Sequence, residues 1–136
     1  MKKKAFTLIE LLVVIAIIAI LATLSVLALQ NARAKARDSK RVADVKQIMT
    51  ALELYFNDAS GYPATLGTSI AYDGNTYLTV VPSSPNPQDG DCTTVQNTYA
   101  YTQDDSGDSY HITYCLGGKT GEIDADLNTA TPAGLK

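Results

Sequence analysis

Residues able to do chemistry are few in this chain, and they do not converge on a reaction. It holds one histidine, His111, and two cysteines, Cys92 and Cys115. His111 stands alone among Tyr, Ile and Thr at 110–114, as a surface or edge residue of a strand would. Ser, His and Asp all occur, but nothing places them as a nucleophile, its base and an orienting acid. The sequence contains no Gly-rich phosphate loop. No residue is assigned a catalytic role, and the chain is not expected to be an enzyme. Asp124-x-Asp126-x-Asn128 has the first three ligand spacings of a Ca²⁺ loop, which needs hard oxygen donors at alternate positions. The sixth position is Thr129 instead of Gly and the twelfth is Leu135 instead of an acid, so the segment is not an EF-hand. Without a metal these acids are turn formers. The two cysteines enclose a loop of about two dozen residues, and an even pair in an exported domain reads as a disulfide. One residue remains: Glu10, a carboxylate inside an apolar run.

That run extends from Phe6 to Leu29, with no polar side chain from Leu11 to Ala22 and Lys2, Lys3 and Lys4 ahead of it. About 20 apolar residues at 1.5 Å each span a hydrocarbon core of roughly 30 Å. At mid-bilayer an ionised side chain costs on the order of 2.5–3.5 kcal/mol on insertion scales, so a plain anchor would discard Glu10. A cleaved secretory signal would use Ala32-Arg33-Ala34 as its small-x-small site, but the run is too long and Glu10 stands at its head. A permanent anchor with Lys2–Lys4 in the cytoplasm has weak charge bias, because Arg33, Lys35 and Arg37 follow the run.

The pattern Lys-Lys-Lys-Ala, then Phe6-Thr7-Leu8-Ile9-Glu10 and an unbroken apolar run, resembles the class III signal of type IV pilins and type II secretion pseudopilins. The resemblance implies that a prepilin peptidase cuts between Ala5 and Phe6 and N-methylates Phe6, leaving Glu10 as the fifth residue of the mature chain. It implies an assembly role for Phe6 and Glu10, in which the Glu10 carboxylate meets the Phe6 amine of a neighbouring subunit. The residue before the cut is usually Gly in that family and is Ala5 here. The late helix-kinking Pro of many members is missing from Val26-Leu27-Ala28, which predicts a straighter helix. Major pseudopilins bind Ca²⁺ in a C-terminal loop, which keeps Asp124, Asp126 and Asn128 in view as ligands and Ca²⁺ as a possible cofactor.

Gln30–Ala59 lacks Gly and Pro and is rich in helix formers. Val42, Val45, Ile48, Met49, Leu52, Tyr55, Phe56 and Ala59 follow three- and four-residue steps, so this half is an amphipathic helix. Lys40/Asp44 and Asp38/Arg41 are expected on its exposed side, as pairs worth about 0.2–0.5 kcal/mol each. Ser60-Gly61-Tyr62-Pro63 ends the helix, with Gly61 as the left-handed cap. Beyond it, Pro82, Pro85 and Pro87 mark a turn-rich stretch, and Tyr99–Thr102 and Tyr110–Leu116 alternate as strands around an Asp104–Asp108 hairpin loop. Tyr110, Ile112, Tyr114 and Leu116 share one face, expected to cover the helix stripe. A last short strand is expected at 121–124, and the tail from Thr129 to Lys136 is expected to be loosely ordered.

The fold class read from these elements is α+β: one long N-terminal helix, membrane-spanning in its first half and amphipathic in its second, with a small antiparallel sheet. The divisions are 1–5 leader, 6–29 transmembrane and assembly half, 30–61 amphipathic half, and 62–136 β head. Residues 1–50 carry nine Lys/Arg against three acids, a net +6, whereas residues 51–136 carry two against eleven, a net −9. Basic charge beside the apolar run and an acidic remainder fit a membrane-bound segment with a solvent-facing head, and nucleic acid is not an expected partner. The expected function is a structural subunit of a type IV pilus-like or type II secretion pseudopilus filament. The expected partners are further copies of the chain, prepilin peptidase, an inner-membrane assembly platform, minor pilins and the cytoplasmic membrane. The precursor would be a single-pass inner-membrane protein and the product an extracytoplasmic or surface filament. The alternative is a monomeric, membrane-anchored extracytoplasmic binding module.

Overall fold

The computed structural model describes residues 5–136; Lys2, Lys3 and Lys4 of the leader lie outside them. The helix α1 runs Leu8–Ala59, 52 residues as one element. Two compact units divide between Arg33 and Ala34. In the first, the large apolar side chains from Phe6 to Leu29 are exposed, and this is the one described helix long and apolar enough to cross a membrane. Its start is set by Thr7 and Glu10. Thr7 N–H and Oγ1–H donate to Glu10 Oε2 at 2.8 and 2.7 Å, and Glu10 N–H donates back to Thr7 Oγ1 at 3.3 Å. This reciprocal capping box satisfies donors that a helix start otherwise leaves open. It places the first helical residue at Leu8, two after Phe6.

In the unit from Ala34 onward, the second half of α1 packs on a sheet. That sheet has four antiparallel strands in the order β3-β4-β5-β6: β3 Ala100–Asp104, β4 Ser109–Leu116, β5 Asp126–Thr131 and β6 Gly134–Leu135. A separate hairpin pairs β1 Ile70–Tyr72 with β2 Asn75–Leu78. Val45, Ile48, Ala51 and Leu52 from the helix and Tyr110, Ile112, Tyr114 and Leu116 from β4 form the core, so the alternating face of β4 does cover the helical stripe. Each fully buried aliphatic side chain of this kind is worth about 1.5–3 kcal/mol.

Three expectations are corrected, and one hairpin was not expected. The tail is not loosely ordered: Ala130 is buried, β5 pairs along β4 from Ile112↔Ala130 to Leu116↔Asp126, and Thr129 and Lys136 exchange backbone hydrogen bonds at 2.9 and 2.8 Å. Small polar side chains gave no periodic signal, but the backbone ladder needs none. The expected strand at 121–124 is only a Thr120↔Ile123 bridge, and the last long strand starts at Asp126. The helix cap is Ser60, at φ 58°, whose N–H bonds Phe56 O at 2.8 Å, not Gly61. The β1–β2 hairpin was missed, although Asp73-Gly74, at φ 47° and 83°, is the turn dipeptide that favours such hairpins.

Cys92 and Cys115 form a disulfide, tying the Pro-rich segment to the end of β4. Replacing both by Ala should lower the unfolding free energy by about 3–4 kcal/mol on a loop-entropy basis. Denaturant unfolding of the two forms in mild detergent measures it; equal midpoints would exclude the cross-link as a stabilising element.

Candidate assembly site and its supporting charge cluster

Ala5, Phe6 and Thr7 stand ahead of the helix, and the Phe6 side chain is exposed. The Ala5–Phe6 peptide bond therefore lies in non-helical chain, where a peptidase can reach it without unwinding a turn. Glu10 Oε2 serves the capping box, while Phe6, Ile9, Val13 and Val14 surround it with apolar surface. The structure thus brings the two assembly candidates, Phe6 and Glu10, to one end of one helix.

The other candidates belong to the unit from Ala34 onward. Asp124, Asp126 and Asn128 do not form an oxygen cage. Asp124 Oδ1 is 2.8 Å from Lys119 Nζ, Asp126 Oδ1 accepts from Leu127 N–H, and Asn128 Nδ2 donates to the Asp124 and Asp126 carbonyls. The Asp124 carboxylate and the Asn128 amide thus spend polar atoms on Lys119 and on backbone carbonyls. Among the described residues no group of three His, Cys, Asp or Glu is placed to hold a metal. His111 Nδ1 lies 2.7 Å from Asp104 Oδ2 on the half-exposed face of the β3–β4 pair.

Sequence reasoning missed the most constrained group of side chains in the molecule. Asp38, Arg41 and Asp44, expected on the exposed side, are 2%, 0% and 6% exposed. Arg41 Nη1 donates to Asp38 at 2.7 Å and to Asp89 at 2.9 Å; Nη2 donates to the Pro85 and Pro87 carbonyls and to Asn97 Oδ1 at 3.0–3.1 Å; Nε donates to Ser84 at 3.3 Å. All five N–H groups of the guanidinium thus have acceptors. Arg37 forks onto Asp89 through Nε, at 2.8 Å, and Nη2. Asp38 in turn accepts from Gly117 and Gly118 N–H at 3.0 and 2.9 Å, and Asp44 meets Lys40 Nζ and Tyr99 OH. The helix period was right, but the polar side of the stripe is covered by a loop some 45–55 residues further along the chain. The one available signal was composition: Pro82, Pro85 and Pro87 offer carbonyls in a stretch that cannot pair as a central strand.

Gly90 and Gly117 close this cluster. A Cβ on Gly117 would stand 2.3 Å from the Asp89 Cβ, and one on Gly90 would stand 2.3 Å from the Gly117 carbonyl oxygen. No side chain fits between the two backbones.

The Arg37 hydrogen bonds act against the cost of burial, with Arg41 behind them, and hold the Asp89 carboxyl below the usual carboxylate range. Burial, helped by Asp44, pushes the Tyr99 phenol up.

Residues 1–26 match the family profile described as the prokaryotic N-terminal methylation motif. No curated protein and no solved structure matches the chain. The match covers the leader and most of the apolar run, the segment that resembles the class III signal of type IV pilin-like precursors.

A carboxylate whose pKa falls on folding stabilises the fold above its unfolded pKa, and that contribution is lost as pH falls through the folded value. Unfolding free energy should therefore decline below about pH 4, the unfolded carboxylate range, and Asp89→Asn should flatten that decline. Arg41→Met, which leaves Asp38 without a cation and Asp89 with Arg37 alone, should cost about 3–5 kcal/mol at neutral pH. Denaturant titrations across pH in mild detergent test both; a wild-type stability unchanged by Arg41→Met would mean that the cluster is solvated.

Proposed function

From a chain that carries a type IV pilin-like class III signal, we propose a structural subunit of a pilus-like or pseudopilus filament, inserted as a single-pass precursor, cut between Ala5 and Phe6 and polymerised through the Phe6–Leu29 helix. The observation that supports this reading is the joint presence of the methylation motif and a fully exposed apolar helix bearing one carboxylate, Glu10, at its start. The work of the chain is assembly, with no reaction of its own. The chain partners with itself, with prepilin peptidase and with an inner-membrane assembly platform.

The capping box gives Glu10 a role in the monomer: its carboxylate is met by Thr7, which lets it enter the membrane interface near the helix N-terminus. Cleavage creates a second claimant, the Phe6 amine, which remains cationic after one methylation. In a bundle of helices packed away from water, an unmet carboxylate is costly, so pairing with the Phe6 amine of an axially shifted copy leaves both charges satisfied at one stagger only. The pair acts as a register mark more than as a source of adhesion.

Two measurements test the reading. Mass spectrometry of the mature protein should show loss of residues 1–5 and gain of one methyl group; an intact N-terminus would favour a monomeric anchored module instead. Glu10→Gln keeps a side-chain oxygen for Thr7 but removes the charge. It should insert and be cleaved like wild type yet form no filaments in a strain lacking the wild-type subunit. Normal filaments from Glu10→Gln, seen by electron microscopy of shear fractions, would reduce Glu10 to a helix-start acid.

A further inference from the structure

Within the unit Ala34–Lys136, an open groove of about 810 Å³ runs between α1 and the Thr120–Asp124 segment. Val42, Ile123 and Leu135 give it half-buried apolar walls, Ser39 and Ala43 keep its helical side low, and Lys46 and Lys136 line it. The charge around it is unusual for this unit. Seven Lys/Arg stand against thirteen acids from residue 34 onward, a net −6. Arg37, Lys40, Arg41 and Lys119 each already have a carboxylate partner. Among the described residues of the unit, Lys35, Lys46 and Lys136 have none, and two of these three line the groove. Glu122 is the one lining acid without a cation, since Asp124 is held by Lys119. Two acidic copies repel except where such cations are free, so charge directs a second copy to this groove.

The other flank of the same helical stretch supplies a matching shape. Arg37, Arg41 and Asp44 hold the 84–99 segment. At about 100° per residue they lie nearly opposite Ser39, Val42 and Lys46 on the helix. From that segment come Asp91, exposed and without a cation partner, and Val95, which at 83% is the most exposed large apolar side chain of the unit. Thr93 caps the turn that carries Val95: its N–H and Oγ1–H both donate to Gln96 Oε1 at 2.9 Å. One flank thus offers a fixed apolar knob beside a carboxylate, and the other offers an apolar groove beside ammonium groups.

We propose that the 91–96 loop of one copy seats in the 39–46 groove of the next, with Val95 against Val42 and Leu135 and Asp91 facing Lys46. The two patches differ, so the contact is heterologous, and it propagates as an open helical assembly unless its rotation closes a ring. The proposal rests on the filament reading and assigns that assembly a contact outside the apolar helix.

The test uses the full-length chain as the sole subunit source in its own host. A benzophenone photo-crosslinker replacing Val95 should give inter-subunit products whose peptides map to residues 39–46 or 120–136. Lys46→Glu should lower filament yield about tenfold, a scale set by the loss of one charge contact and its conversion to repulsion at every subunit, and adding Asp91→Lys in the same chain should restore it. Lys46 and Asp91 are exposed, so unchanged unfolding midpoints show that the fold survives the substitutions. Crosslinks that map elsewhere, or Lys46→Glu filaments as abundant as wild type, overturn the contact while the filament reading stands. Wild-type chains that are processed but never form filaments overturn both.

Discussion

A guanidinium shut off from water is the constraint on which the folded unit depends. Arg41 is wholly buried, and a charge in that position is tolerated only when its donors and its charge are both met. Meeting them takes two carboxylates, two backbone carbonyls, an amide oxygen and a hydroxyl, drawn from α1 and from the segment between Ser84 and Asn97. That segment has no strand of its own and few apolar residues to bury. Its conformation is set instead by the acceptors that Arg41 requires, by the Arg37–Asp89 fork and by the Cys92–Cys115 bond. The second carboxylate, Asp38, carries the constraint onward to the Gly117 and Gly118 amides at the end of β4. Helix, loop and sheet end are therefore joined through one polar cluster, next to a core that is otherwise aliphatic and aromatic.

The first unit has the opposite character. Among the described residues the large apolar side chains from Phe6 to Leu29 are exposed, and the one ionisable side chain within that run is Glu10. Hydrophobic surface of this extent on a helix is stable only in lipid or against other apolar helices. The proposed cleavage at Ala5/Phe6 would leave the composition of that surface unchanged and add a cation at its end. The Thr7–Glu10 capping box matters here because it gives the carboxylate partners within its own helix. The two units therefore divide the chemistry: one presents apolar surface with Glu10 at its start, while the other buries a charge cluster whose members meet one another.

Much of the fold was legible in the residues. The apolar run, the helix end near Ser60 and the alternation of Tyr110, Ile112, Tyr114 and Leu116 are local patterns, and each fixed an element or a buried face before any tertiary contact was known. The Thr7-x-x-Glu10 spacing was equally local and is a capping-box signature, although Glu10 was read for its charge in assembly and Thr7 was given no role. Asp73-Gly74 was a local hairpin signal left unused. Residues 126–135 lay beyond this kind of reading. Their side chains are small and polar, and their strands exist because β4 offers an open ladder to pair with, which no window of neighbouring residues reveals.

The sequence by itself determined where a helix begins and ends, which of its residues face a core, and that its first half belongs in an apolar environment, because capping, period and hydropathy act within a few residues of each position. Tertiary structure alone decided the fate of the charges. Asp38 and Arg41, three apart on a helix, look like any exposed ion pair, and their burial depends on Asp89, Pro85, Pro87 and Asn97, which only folding brings to them. Whether a charged side chain is solvated or buried is set by what covers it. In this chain the cover comes from a segment more than 40 residues away, and the pairing of residues that distant is not encoded in either segment taken alone.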